Sequence, residues 1–274
     1  MIEEKPIVQN HAFESTNENF INVTNDILTL QSEVLYPFDK IALKDFGVLK
    51  DIKSAIDIGC GVGYHLKYYS ELYPNTQWTG IDSNPELIKK AEEILRGKSN
   101  IQLKHTSLAD YKTDKKYDAV FTCAVLQYIP DQLENYFELV TNILEPGGFL
   151  FILESESSYK IHYPRLEAAE KFTNALDGQI IKDPIVSRRL PFYMEKYGFT
   201  DIEYKPLIIN QYNVCAETYF KLMAVTAKFI RIAVPDLYTE ENLSEMLLLL
   251  ESEERRKGFV CNLAGAYVKG IKKN

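Results

Sequence analysis

Paired cysteine is missing from this chain of 274 residues. Its four cysteines, Cys60, Cys123, Cys215 and Cys261, stand far apart and form no C-x-x-C pair. That spacing excludes a disulfide framework or a thiolate zinc site and points to reduced, mostly buried thiols. Histidine is equally thin: His11, His65, His105 and His162 are scattered, and no metal centre is suggested. No apolar run is long enough to span a bilayer. "MLLLL" near Met246 is too short, and "LMAVTAKFIRIAV" near Leu222 is interrupted by Lys228 and Arg231. The opening "MIEEKPIVQN" is acidic and lacks the apolar stretch of a secretory signal. Positive charge is in deficit, with a net charge of −8, which argues against a broad nucleic-acid surface. Repeats and low-complexity tracts are also lacking. These gaps leave a globular chain, read as cytoplasmic and not membrane-bound. It is 46% hydrophobic and 26% charged, and long enough for one α/β domain with an added cap.

What is present begins with helical spacing. Phe20, Val23, Ile27, Leu30 and Val34 recur at three- and four-residue steps, so residues 1–50 read as a helical cap segment. Short apolar strands then alternate with amphipathic helices. "SAIDIG", "QWTGID", "IQLKHT", "YDAVFTCAV" and "FLFILES" read as five strands. "SNPELIKKAEEILRG" has a Ser83 or Asn84 cap, Pro85 in its first turn and Gly97 just past its end. The rhythm predicts parallel βαβ units in a doubly wound sheet. After residue 155 it changes. "PFYMEKYGF" is a short helix, "TDIEYKPLII" a sixth strand, residues 215–257 two helices, and "FVCNLAGAYVKGIK" a last strand. The main domain is thus expected over 51–274, with cap insertions at about 155–190 and 215–257.

The stretch "SAIDIGCGVGYH" carries the chemistry. Glycines at 59, 61 and 63 let backbone N–H groups approach a ligand closely. A nucleoside-triphosphate loop is excluded, because no Lys-Ser or Lys-Thr follows. The dinucleotide pattern G-x-G-x-x-G fails at its third position, which is Tyr64. The pattern is D-x-G-x-G-x-G from Asp57. Asp82, at the tip of the second strand, is placed to accept hydrogen bonds from a ribose diol. That feature alone serves a dinucleotide and S-adenosylmethionine equally.

Together, "AIDIGCGVG", "WTGIDSNPELIKKA", "YDAVFTCAVLQYIPD" and "LEPGGFLFILES", in this order, resemble the class I S-adenosylmethionine-dependent methyltransferases. The resemblance covers residues 51 to about 154. It implies a Rossmann-like, doubly wound seven-stranded sheet, mostly parallel with the last strand antiparallel, and a helical cap. It implies S-adenosylmethionine as cofactor. The turn Gly59, Cys60, Gly61 and Gly63 would lie along its methionine part, with Asp57 behind, near the amino group. Asp82 and Ser83 would meet the ribose, and Ser107 and Leu108 the adenine. Thr122 and Cys123 would lie beside the transfer site. Two departures stand out: Ser107 replaces an Asp, and Tyr128 a His, that many relatives carry. A nicotinamide oxidoreductase is disfavoured by Tyr64 and the "PGG" turn.

Methyl transfer is an in-line displacement that needs alignment and exclusion of water, and a base only for hydroxyl or carbon acceptors. Candidate catalytic residues are Tyr128 and His162. Each has a plainer reading, as packing for Tyr128 and as a backbone-bonded loop residue for His162. Tyr159, Tyr163 and Arg188 are candidate substrate contacts. Arg188 or Arg189 can clamp an acidic group, or one of them can pair with Asp183. His65 and Tyr64 either border the cofactor carboxylate or pack. Tyr212, Tyr219, Phe220, Met223 and Phe229 form a cover suited to a small, partly apolar substrate. The expected protein is a monomer or homodimer transferring methyl to N, O or C of a small molecule. Alternatives are a protein or tRNA methyltransferase, or a non-catalytic binder of the same cofactor.

Overall fold

Strands β1 (Ser54–Ile58) and β4 (Tyr117–Cys123) are almost continuously apolar, as strands with both faces covered must be. They form the centre of a seven-stranded sheet. The computed structural model describes residues 17–159, 162–177 and 179–273. With β2 (Gln77–Asp82), β3 (Ile101–His105), β5 (Leu144–Ser155), β7 (Phe199–Ile209) and β9 (Leu263–Lys272), the sheet order is β3-β2-β1-β4-β5-β9-β7. β9 runs antiparallel to both its neighbours, and the strands from β3 to β5 are parallel.

Side-chain alternation splits the core in two. Ala55, Ala119, Phe121, Phe149 and Phe151 face one layer, containing α1 (Glu18–Asp45), α2 (Tyr64–Leu72), α3 (Pro85–Ile94) and α7 (Ala216–Ala233). Ile56, Val120, Leu150 and Ile152 face the other, with α4 (Leu133–Ile143) and α6 (Leu190–Lys196). α5 (Glu167–Leu176) and α8 (Glu240–Glu251) pack beside α7.

Caps fix the helix starts. The Asn17 side chain accepts from the N–H groups of Asn19 and Phe20 and opens α1. Asn84 does the same for Glu86 and Leu87 at α3. Two features differ from the sequence reading. β5 starts five residues early, at Leu144, with an irregular register opposite β4. The last strand is interrupted at Asn262, and its first piece, β8 (Val260–Cys261), leaves the main sheet to pair with β6 (His162–Tyr163).

Candidate active site

The C-terminal ends of β1, β2, β3 and β4 lie at one edge of the sheet, where open α/β sheets bind ligands. There the turn after β1 is held by its neighbours. The N–H groups of Gly59 and Cys60 donate to the Ile81 carbonyl at 2.8 and 3.0 Å. The Gly61 N–H donates to Asp82 Oδ2 at 2.9 Å, and the Asn84 N–H to Asp82 Oδ1 at 2.9 Å. Asp82 is therefore fixed by one bond per oxygen, and each oxygen keeps acceptor capacity for a further donor. Burial pushes its carboxyl up, while the Asn84 and Gly61 N–H groups pull it down. Gly59, at φ +76°, is required twice over, because a Cβ there would stand 2.4 Å from Val125 Cγ2.

Above this edge lies a cavity of about 330 Å³. Gly59, Gly61, Asp82, Ser83, Ser107, Leu108 and Cys123 line it, and its roof is one face of α1: Thr24, Ile27, Leu28 and Gln31. Ser107 Oγ donates to Asp110 Oδ2 at 2.6 Å and accepts from the Asp110 N–H at 3.1 Å. A narrow inner recess adjoins the cavity, lined by Asp57, Gly59, Cys60, Gly61, His65 and Cys123. Asp57 is buried and makes no side-chain hydrogen bond among the described residues. Burial, then Asp82 and Asp39, push its carboxyl up to about 7.

Behind the recess is a network that sequence reasoning missed. Asp39, fully buried on α1, accepts from Tyr69 at 3.1 Å and Tyr267 at 2.7 Å. Burial pushes Asp39 to about 7 against the pull of those two hydroxyls. His65 Nε2 lies 3.6 Å from Asp39 Oδ2 and 3.6 Å from Cys123 Sγ. Ser32 Oγ donates to the Leu28 carbonyl at 2.7 Å, so it accepts from His65 Nδ1–H at 3.2 Å. Nε2 is left bare, facing the Cys123 thiol. Burial lowers His65 to about 4, so the ring is neutral at pH 7 and its contact with Asp39 is not an ion pair.

On the far side, a second chamber of about 170 Å³ shares Ile27, Gln31, Ala124, Tyr128, Leu176 and Thr226 with the main cavity. Glu154 anchors its rim. This buried carboxylate accepts from the N–H groups of Val125 and Leu126, both at 2.7 Å, and of Gln127 at 3.2 Å. Those bonds fix the loop after β4 and the 3₁₀ turn Leu126–Tyr128. Tyr128 lines both chambers. Burial, then Glu154, hold its hydroxyl far above the ordinary phenol range, so it is a hydrogen-bond donor and not a base near neutrality.

Other candidates lie elsewhere. Thr122 points to the opposite face from Cys123, since neighbours on a strand must, and its hydroxyl pairs with Tyr136 at 2.8 Å. His162 lines a small separate recess with Cys261 and Leu263, and its Nδ1 is 3.4 Å from the Pro164 carbonyl. Tyr163 is exposed, as is Tyr212. Tyr219, Phe220, Met223 and Phe229 are buried on α7, and Phe229 reaches the cavity. The side chain of Tyr159 lies outside the described residues. Arg188 forks onto buried Glu156, with Nε–Oε2 2.8 Å and NH2–Oε1 2.7 Å, and also reaches Ser158. Burial acts to raise Glu156, but Arg188 and the neighbouring Ser158 and Ser187 groups outweigh it and hold the carboxyl low. Arg189 pairs with Asp183 at 2.8 Å. No group of metal-ligating side chains occurs among the described residues. No helix of the described residues is long and apolar enough to cross a membrane.

A family profile described as a methyltransferase domain matches residues 55–148. Trans-aconitate 2-methyltransferase of Rhodopseudomonas palustris is 33% identical over 104 residues, 38% of this chain and 39% of that protein. Malonyl-[acyl-carrier protein] O-methyltransferase 2 of Ilyobacter polytropus is 25% identical over 142 residues, 49% of this chain and 54% of that one. The chain thus spans about half or less of the length of these curated relatives. The fold is similar to Haemonchus contortus phosphoethanolamine N-methyltransferase 2, solved with phosphomonomethylethanolamine and S-adenosylhomocysteine. The TM-score is 0.54 at 18% identity, over 85% of this chain and 51% of that one. Residues 55–148 thus match a methyltransferase domain, and the sheet order is that of the Rossmann-like methyltransferase fold.

Proposed function

We propose that this protein transfers a methyl group from S-adenosylmethionine to a small molecule seated in the second chamber. One observation carries the reading. A clamped carboxylate, Asp82, lines the main cavity, and an uncompensated buried one, Asp57, lines the recess that adjoins it across the glycine turn. That donor set suits a ribose diol at Asp82 and a cationic amino group at Asp57. Ser83 supports the ribose end, and Ser107 with Leu108 the adenine end. Gly59, Cys60 and Gly61 supply close backbone approach for the methionine part, whereas Gly63 lines neither space and its N–H donates to the Cys60 carbonyl at 2.9 Å. Thr24 Oγ1, buried with no hydrogen-bond partner among the described residues and lining the same cavity, is a further polar atom that a ligand would satisfy. Bound there, S-adenosylmethionine supplies an electrophilic methyl on sulfur.

The chain's own contribution is alignment and exclusion of water. α1 roofs the cavity, and Glu154 holds the loop that carries Tyr128 against the acceptor side. Tyr128, as a donor, orients an acceptor oxygen or nitrogen and does not deprotonate it. Cys123 stands at the junction of recess and cavity, which fits the transfer end. We assign α1, α5, α7 and α8 as the cap. A cavity lined by α1, α5 and α7 and a net charge of −8 favour a small molecule over RNA.

Calorimetry with S-adenosylmethionine and with NAD tests the cofactor reading. Binding of the first and not the second is expected, and failure to bind the first would falsify it. Transfer of labelled methyl to a metabolite extract tests turnover. Cofactor binding with no labelled product from any extract would leave a binding protein in its place.

A further inference from the structure

The second chamber has an unusual wall. Ile27 and Leu35 from α1, Leu153 from β5, Leu207 and Ile209 from β7, and Leu222 from α7 close it. No Lys, Arg or His lines it or the main cavity among the described residues. Arg188 lines neither space and is bound to buried Glu156. The one charged residue in the chamber wall is Glu154, itself an acid. Ser155 also lines the chamber. It shares strand parity with Leu153, and its buried Oγ has no hydrogen-bond partner among the described residues. Gln31 is common to the recess, the cavity and the chamber.

Resting on the methyltransferase reading above, we infer that the acceptor has an apolar body and carries no carboxylate, phosphate or sulfate. An anion brought here would lose its hydration, find no cation, and face the Glu154 carboxylate. An uncharged chain would bury apolar surface against six aliphatic side chains and place one polar group at Gln31 or Ser155. The compounds named for two of the similar proteins, trans-aconitate and phosphomonomethylethanolamine, carry carboxylate or phosphate groups. This chamber selects a different class of substrate.

A matched pair of probes tests this: 1-octanol and octanoate, titrated calorimetrically at pH 7.5 onto protein loaded with S-adenosylhomocysteine and onto the unloaded protein. Octanol is expected to bind at least about tenfold tighter, roughly 1.4 kcal/mol. Thr226→Arg sets a guanidinium between cavity and chamber and is expected to reverse the preference. Octanoate binding as tightly as octanol in the unaltered protein, or neither probe binding, overturns the inference. If Thr226→Arg does not fold, the unaltered protein decides alone. Loss of S-adenosylhomocysteine binding would count against the cofactor reading only, since the unloaded titration still reports the chamber.

Discussion

Asp57 and Asp82 end adjacent strands, yet their surroundings differ. Asp82 holds two backbone N–H donors, whereas Asp57 holds none from a side chain. Asp82→Ala removes the clamp on Gly61 and the proposed ribose acceptor together. With charge-assisted bonds worth about 1.5–3 kcal/mol each, S-adenosylmethionine affinity is expected to fall by about 100-fold or more in calorimetry. A fall under threefold would show that Asp82 does not meet the cofactor.

Asp57 gives a pH signature. Its folded value, near 7, lies above the ordinary value of 3.8, so the folded state holds a proton that the unfolded state has lost between those limits. Stability from this group is therefore full below about pH 4 and lost as pH rises to 7, a change on the order of 4 kcal/mol. The unliganded protein should melt higher at pH 5 than at pH 8, and Asp57→Asn should flatten part of that slope. A cationic cofactor prefers the ionised carboxylate, so its affinity should rise from pH 6 to 8. An affinity that fell over this range would place the amino group elsewhere.

At the scale of elements, the loop after β4 depends on one residue of β5. Glu154→Gln keeps one carbonyl acceptor but turns an NH2 group toward N–H donors. The amides of Val125 to Gln127 are expected to exchange with solvent at least about tenfold faster, since each lost bond is worth on the order of 1–3 kcal/mol. Unchanged protection would mean that the loop is held by packing alone.

Elements were also what the sequence displayed best. The β1 to β5 rhythm, the Asn84 cap and the break between α7 and α8 are local signals, and each was readable from residues close together. The missed features are long-range. Glu154 reads as the end of an apolar strand until the β4 loop folds over it. The β6–β8 ladder joins residues about 100 apart, and the Arg188–Glu156 fork joins residues 32 apart. Strand parity puts the Thr122 and Cys123 side chains on opposite faces, with Cys123 lining the cavity and the Thr122 hydroxyl on Tyr136. Asp39 had a signal as well, an acid on the buried stripe of α1 between Leu35 and Leu43.

Across the whole molecule, Asp39 ties α1 to α2 through Tyr69 and to β9 through Tyr267. Tyr267→Phe removes one of its two hydroxyl donors. A loss of about 1–2 kcal/mol in denaturant unfolding is expected. The loss should be larger at pH 8 than at pH 5, because the ionised carboxylate needs the donor more. An equal loss at both would mean that Asp39 stays protonated throughout.

β9 lies between β5 and β7 and bonds to both. It follows both of them in the chain. Until it arrives, two strands on either side of the gap expose unpaired backbone edges, the condition that invites pairing between nascent chains. The helix roofing the cavity precedes every strand of the sheet but gains its Tyr267 bond from a residue 228 positions later. Assembly of the ligand site is thus coupled to the arrival of β9, and a chain stopped before β9 should accumulate as aggregate without a formed cavity.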